Sequence, residues 1–240
     1  MKAFQRVIRE QNQERDPRAV VPLTGCVVEE IALSEARDII LAYEYLGTLP
    51  KVSRYQYGLK SPTGELLGVA MFGDGHGSRS NLLCGDEFAD QAMCLARGAC
   101  VHFAHEHAAS YMINRATRAA YRDHGALVFY AYADVEAGEI GTVYQASSWL
   151  YVGQGAGRGP SGGHRKIWTD LDGKDRSTRW MRADMKRTGM VLDDYRELGW
   201  VQRNHPEKHR YVRLEGTPKI RRRLREALQF PVLPYPKRPD

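Results

Sequence analysis

Apolar positions along the chain switch between strand-like and helix-like spacing, and the switches predict an order of elements. Val27–Leu33 reads as a strand. Ser34 stands where an N-cap belongs, ahead of a helix over Glu35–Tyr45 with Ile39, Ile40 and Tyr43 on one face. Gly47 and Pro50 end that helix. Tyr55–Lys60 and Leu66–Phe72 flank the turn Ser61-Pro62-Thr63-Gly64, which is a hairpin pattern. Met93–Phe103 reads as a buried strand interrupted by one arginine, Arg97. Ala109–Arg122 is amphipathic at helical spacing, with Met112, Ile113, Ala116, Ala119 and Ala120 on one side and Arg115, Arg118 and Arg122 on the other. Ala126–Ala133 is the most strand-like run, with Asp134 at its end. A short helix over Thr142–Trp149 leads into a strand at Leu150–Val152.

Helices alternating with strands around a mixed sheet make an α/β (α+β) domain. The strand–helix–strand over residues 93–133 predicts a parallel pair with a right-handed crossover. Residues 1–22 are mostly polar and read as a loose N-terminal arm, residues 23–157 as the core, and residues 158–240 as a basic C-terminal extension that completes the fold. Gly73–Arg79 is a glycine-rich loop without a phosphate-binding fingerprint, and six glycines fall within residues 153–163, a composition suited to a loop or lid. Further on, a short helix is expected at Asp193–Leu198, a strand at Arg210–Leu214 and a basic helix at Lys219–Leu228. The proline-rich tail Phe230–Pro239 is expected to pack as an extended strap.

Charge changes this picture more than composition does. The 240 residues carry a net charge of +6, unevenly placed. Residues 1–157 hold 14 basic and 18 acidic residues, whereas residues 158–240 hold 21 and 11. A basic C-terminal third fits a polyanion partner as well as ordinary solvated surface. With 42% hydrophobic and 10% aromatic residues, a disordered chain is excluded. No apolar run approaches the ~18 residues of a membrane span. Met1–Asp16 has no signal-like core, and Cys26, Cys84, Cys94 and Cys100 form no CxxC pair, so a reduced cytoplasmic protein is expected.

Several residues invite chemistry. Arg97 lies in an apolar strand, where a guanidinium needs a carboxylate or an anionic ligand. Asp134 sits at a strand end and Tyr144 on the following helix, the side of a parallel sheet where ligands bind; together they offer a proton acceptor and a proton donor. The loop that opens the 109–122 helix places His107, Ala109 and Ser110 at a positive helix end suited to phosphate. Cys100, His102, His105 and His107 are metal-ligand types, but they lack HExxH spacing and a second cluster, so a metal is not favoured. Tyr43, Tyr45, Tyr55, Tyr57, Trp168 and Trp180 are candidates for stacking on a base, or for core. Arg179, Arg182, Lys186, Arg187, Lys208, Arg210, Arg221, Arg222 and Arg223 are the candidate phosphate contacts.

Tyr132-Ala133-Asp134, followed by the run Gly141-Thr142-Val143-Tyr144-Gln145-Ala146-Ser147-Ser148-Trp149-Leu150-Tyr151, resembles the signature of the Mom-type DNA-modification proteins of bacteriophages. Tyr45-Leu46-Gly47, Lys208-His209-Arg210-Tyr211-Val212 and the closing Pro231–Lys237 extend the likeness over roughly residues 25–238 in the same order. The resemblance implies a fold similar to GNAT acyltransferases. It also implies conversion of adenine N6 in duplex DNA to a carbamoylmethyl derivative that shields phage DNA from restriction. By the same resemblance Asp134, Tyr144 and Ser110 would be catalytic, Arg97, His107, Ala109 and Ser110 would hold an acyl or glycyl donor such as acetyl-CoA, and Tyr45 would meet the adenine. The sequence departs from these patterns at Glu44, where the family often has histidine before Tyr45. It also lacks the Q/RxxGxG/A run where the 93–103 strand meets the 109–122 helix; Gln154–Gly159 matches those letters but runs into Pro160 rather than a helix. A GNAT-type acyltransferase acting on a small amine or protein is the alternative reading.

Overall fold

The strand-like runs pair into one seven-stranded sheet in the order β1-β2-β3-β4-β5-β10-β6, where β1 is Val27–Glu30, β2 Tyr55–Lys60, β3 Leu66–Gly73, β4 Ala92–Cys100, β5 Val128–Ala133, β6 Leu150–Gln154 and β10 His209–Leu214. The computed structural model describes residues 4–75, 81–155 and 164–238; the 76–79 part of the first glycine-rich loop and residues 156–163 of the second, with most of the Gln154–Gly159 letter match, lie outside the described residues. Neighbouring strands are antiparallel except β4 and β5, which run parallel. The parallel pair expected around the 109–122 helix is therefore present. Helix α3 (Ala108–His124) covers one face, where Leu59, Met112 and Phe129 pack, and helix α2 (Leu33–Tyr43) lies on the other, the side of Val69, Met71 and Arg97. Helix α7 (Pro218–Ala227) covers part of the other through Leu224, which joins Val128, Tyr130 and Val212. The near-continuous apolar runs of β3 and β5 fit strands buried on both faces.

Four local readings need correction. The α2 N-cap is Ala32 rather than Ser34, because Glu35 reaches back and accepts the Ala32 N–H at 3.0 Å. The strand before it ends at Glu30, short of Leu33. Helix α4 covers Thr142–Ala146 and stops before Ser147. Residues 4–15, read as part of a loose arm, form helix α1 (Phe4–Arg15). Helix α1 buries no side chain and is held by polar contacts instead: Phe4 N–H donates to Ala137 O at 2.9 Å, and Arg9 Nε donates to His102 O at 3.0 Å. It therefore runs from the loop after β5 to the turn after β4.

Residues 164–206 form a small separate sheet with strand order β8-β7-β9 (Asp175–Ser177, His164–Thr169, Val201–Pro206), which sequence spacing does not reveal. Helices α5 (Thr178–Thr188) and α6 (Leu192–Glu197) enclose a cluster of Trp168, Met181 and Tyr195, and Trp180 stacks on Trp200 at 5.8 Å. Trp168 and Tyr57 are core residues, not base platforms. This excursion leaves the main sheet after β6 and returns into β10, whose His209 pairs with both Ala133 and Gln154. It consequently rises from the sheet end that carries Asp134. The tail is the expected strap: Leu233 N–H donates to Tyr151 O and Tyr235 Oη to Trp149 O, both at 2.9 Å. No described helix is long and apolar enough to cross a membrane.

Candidate active site

Strands β4 and β5 pair through three residues only, Ala92–Cys94 against Val128–Tyr130. Beyond them β4 follows β3 while β5 follows β10, so the two C-terminal ends part. The ladder between them thus ends at Cys94 and Tyr130, and Arg97 and Asp134 lie on the two strands beyond that point, with Tyr45 hydrogen-bonded to Asp134.

Asp134 is 9% exposed and well supplied with donors. Lys208 Nζ lies 2.6 Å from Oδ2, the Glu136 N–H donates to Oδ1 at 3.1 Å, and Tyr45 Oη donates to Oδ2 at 3.4 Å. Burial alone would raise the carboxyl's pKa, but the hydrogen bond and charge of Lys208 with the Glu136 amide more than offset this and hold it below the ordinary value. Lys208 is thus a partner of the acid rather than a free surface cation.

Arg97 has the carboxylate its position demands. Nε donates to Thr48 O at 2.8 Å and lies 3.7 Å from Glu44 Oε2, and one terminal nitrogen donates to Ala96 O at 2.7 Å. The guanidinium is therefore already partnered by protein groups. Glu44, the C-cap of α2, is 7% exposed and accepts the Leu46 N–H at 2.8 Å. Burial pushes its carboxyl pKa up, against the pull of the Leu46 amide, Arg97 and Lys208. In the sequence Glu44 stands out only as a departure from a motif, and its adjacency to Tyr45 is the signal it carries.

Tyr144 packs between Trp149 and Tyr211, with ring centroids at 5.3 and 5.2 Å. Burial, followed by the charges of Cys94, Glu139, Tyr45 and Glu44, raises its pKa, so the phenol keeps its proton at neutral pH. Gly141 sets the start of α4. Its φ is +74°, and a Cβ there would meet Tyr211 Cε2 at 2.3 Å. Tyr211 Oη in turn donates to Ile140 O and accepts from Gln145 Nε2, the latter at 3.1 Å.

His107 is the N-cap of α3 with its ring exposed, Ala109 lies in the first turn, and Ser110 Oγ donates to His107 O at 3.1 Å. Among the described residues no hydrogen bond or ion pair joins that turn to Asp134 or Tyr144. The turn itself is engaged by the N-terminal segment: Arg9 donates to the carbonyls of His102 and Ala104, and Val21 N–H donates to Phe103 O at 2.9 Å. Ala108 N–H is spent on His105 O. The glycine-rich run of an acyl-CoA site is absent from the sequence at this turn. The histidines do not converge either. His102 is buried between Tyr43 Oη at 2.9 Å and Asp16 O at 2.7 Å, and no described group of three His, Cys, Asp or Glu side chains is arranged for a metal.

The sequence matches the Mom protein family over residues 25–237. The chain belongs to that family. Mom proteins are associated with phage DNA modification, and the family segment spans Tyr45, Arg97, Asp134, Tyr144 and Lys208 alike. No curated protein matches the sequence. Among solved structures, similar folds include a spermidine N-acetyltransferase from Vibrio cholerae in complex with CoA and spermine, 9% identical, covering 80% of this chain and 96% of that one with a TM-score of 0.42. An IAA acetyltransferase from Bacillus cereus is 10% identical, covers 80% of this chain and 100% of its own, and has a TM-score of 0.41. A putative phosphinothricin N-acetyltransferase is 9% identical with coverages of 80% and 100% and a TM-score of 0.45.

The basic candidates divide by position. Arg182, Lys186 and Arg187 are exposed on α5, within the small second sheet's unit. Arg221, Arg222 and Arg223 are exposed on α7, which begins beyond Leu214, the β10 residue paired with Val128 at the opposite end of the sheet from Asp134. Arg210 is 3% exposed, with its guanidinium 3.8 Å from the centre of the Phe230 ring, so it is not a surface phosphate contact. The side chain of Arg179 lies outside the described residues.

Proposed function

We propose that this protein transfers a carbamoylmethyl group to adenine N6 in duplex DNA. The observation that supports this most is the cluster at the parted ends of β4 and β5, where Tyr45, Asp134 and Lys208 are joined by hydrogen bonds and Tyr144 stays protonated nearby. Adenine N6 lies on the pairing edge, so the base must leave the stack to react. A displaced adenine would meet the Tyr45 ring and present its amino group to Asp134. The ionised carboxylate accepts an N–H and fixes the amine's orientation, and the Tyr144 hydroxyl gives its proton to the departing group of the donor.

The duplex is held by phosphate contacts. Arg182, Lys186 and Arg187 on α5 stand on the unit that rises from the same sheet end as Asp134, which favours them as contacts near the target base. Arg221 and Arg222 rim a groove of about 450 Å³ lined also by Leu150 and Arg213, and with Arg223 they extend the contact along the backbone. The donor is a small or carrier-bound molecule with an activated carbon.

Expression in bacteria followed by mass spectrometry of plasmid nucleosides tests the reading. An adenosine heavier by a carbamoylmethyl group, absent when the Asp134→Asn variant replaces the wild type, is the expected result. Acetylation of a polyamine or protein amine with unmodified DNA would select the acyltransferase alternative instead.

A further inference from the structure

Two carboxylates lie where β4 and β5 part, and their surroundings separate their roles. Asp134 accepts from the Lys208 ammonium, the Glu136 amide and the Tyr45 hydroxyl. An oxygen so thoroughly hydrogen-bonded orients a substrate well and accepts a proton poorly. Glu44 is different. It is buried at the end of α2, takes the Leu46 N–H and a weaker pull from the Gly47 amide, and has Arg97 Nε at 3.7 Å, beyond hydrogen-bond range. The guanidinium is turned to Thr48 O and Ala96 O.

We propose that Glu44 is the general base that removes the proton from the substrate amine, while Asp134 orients that amine. This rests on the functional reading above. The groups facing Glu44 are Arg97 from β4, Lys208 ahead of β10, and Tyr45 and Tyr144, both of which stay protonated because burial raises their pKa. Arg97 and Lys208 pull the carboxyl down and burial pushes it up more, which moves it toward the pH at which a base must work. In the step, the N6–carbon bond forms as the bond from the donor carbon to its leaving group breaks. The N6 proton passes to a Glu44 oxygen, and the leaving group departs with its electron pair and takes the Tyr144 proton.

The test uses full-length protein and a duplex oligonucleotide in clarified bacterial lysate, which supplies the donor, with modified adenosine counted by mass spectrometry as a function of pH. Wild type is expected to lose rate as pH falls through the Glu44 pKa. E44Q should fold and bind duplex but lose about 10²–10⁴-fold in rate. E44H, which keeps a base of different pKa, should recover part of that rate with the acid limb displaced. D134N should be slow yet keep the wild-type acid limb. An E44Q rate close to wild type, or an acid limb that disappears in D134N, would overturn the assignment. Should E44Q not fold, the D134N and E44H profiles still decide. Absence of modified adenosine with wild type defeats the functional reading itself, a result distinct from either.

Discussion

Lys208 stands 2.6 Å from the Asp134 carboxylate, tying the residue that leads into β10 to the end of β5. The contact links the returning end of the 155–208 excursion to the candidate acid. Two further contacts of the same unit lie beside it: Arg203 grips Glu136 with two hydrogen bonds of 2.6 and 3.1 Å, and His205 Nε2 is 3.1 Å from the same carboxylate. The small sheet is thereby anchored on the loop that follows Asp134.

Lys208→Met keeps the side chain's stem and removes its charge. The half-buried pair should be worth about 1.5–3 kcal/mol at neutral pH, as hydrogen bonds to charged groups are. Asp134 has a lowered folded-state pKa, so this stability is present above the unfolded value and lost as pH falls through the folded one. Urea midpoints of wild type and variant should therefore differ at pH 7 and converge in acid. A constant gap would detach the effect from Asp134.

Asp134→Asn and Tyr144→Phe change little volume. Tyr144→Phe should leave the melting temperature close to wild type and Asp134→Asn should lower it by the loss of the Lys208 pair, while both keep duplex binding and lose about 10²–10⁴-fold in adenine modification. Nucleoside mass spectrometry with parallel binding curves checks both halves of the statement.

Neutralising Arg221, Arg222 and Arg223 together should weaken duplex binding at every sequence and lower the salt slope by at most about 3, since each phosphate contact contributes roughly 0.9. Arg223 also pairs with Glu87, so its share should be smallest. Arg210→Gln should behave differently. It removes a buried guanidinium stacked on Phe230, so it should lower the melting temperature and leave the salt slope unchanged.

Gly141→Ala meets both a left-handed backbone and the Tyr211 ring. Backbone strain alone should cost roughly 1–3 kcal/mol, with the ring overlap added to it. Calorimetry should show a large drop in melting temperature, and modification should fall with it because Tyr144 lies three residues on.

Local pattern determined much of this protein. Short β-rich runs bounded by turn residues specified β2, β3 and β5, the 3.6-residue stripe of Met112, Ile113 and Ala116 specified α3, and the strand–helix–strand spacing specified the parallel pair, because these signals come from which parts of an element must leave water. The pattern around Asp134 and Tyr144 was legible for the same reason: a strand end and a following glycine turn are local features. Other facts depended on distance across the fold. Lys208 and Arg210 are two residues apart in one basic stretch, yet one pairs with a catalytic candidate and the other is buried under Phe230. Charge composition could not separate them, since the choice is made by the β10 register against β5 and by the tail that returns over it. Glu44 became a candidate only when Arg97, Lys208 and Tyr144 proved to surround it from three other segments. A sequence records which residues are able to ionise; the fold decides their solvation and their neighbours, and these set which one holds a proton and which one gives it up.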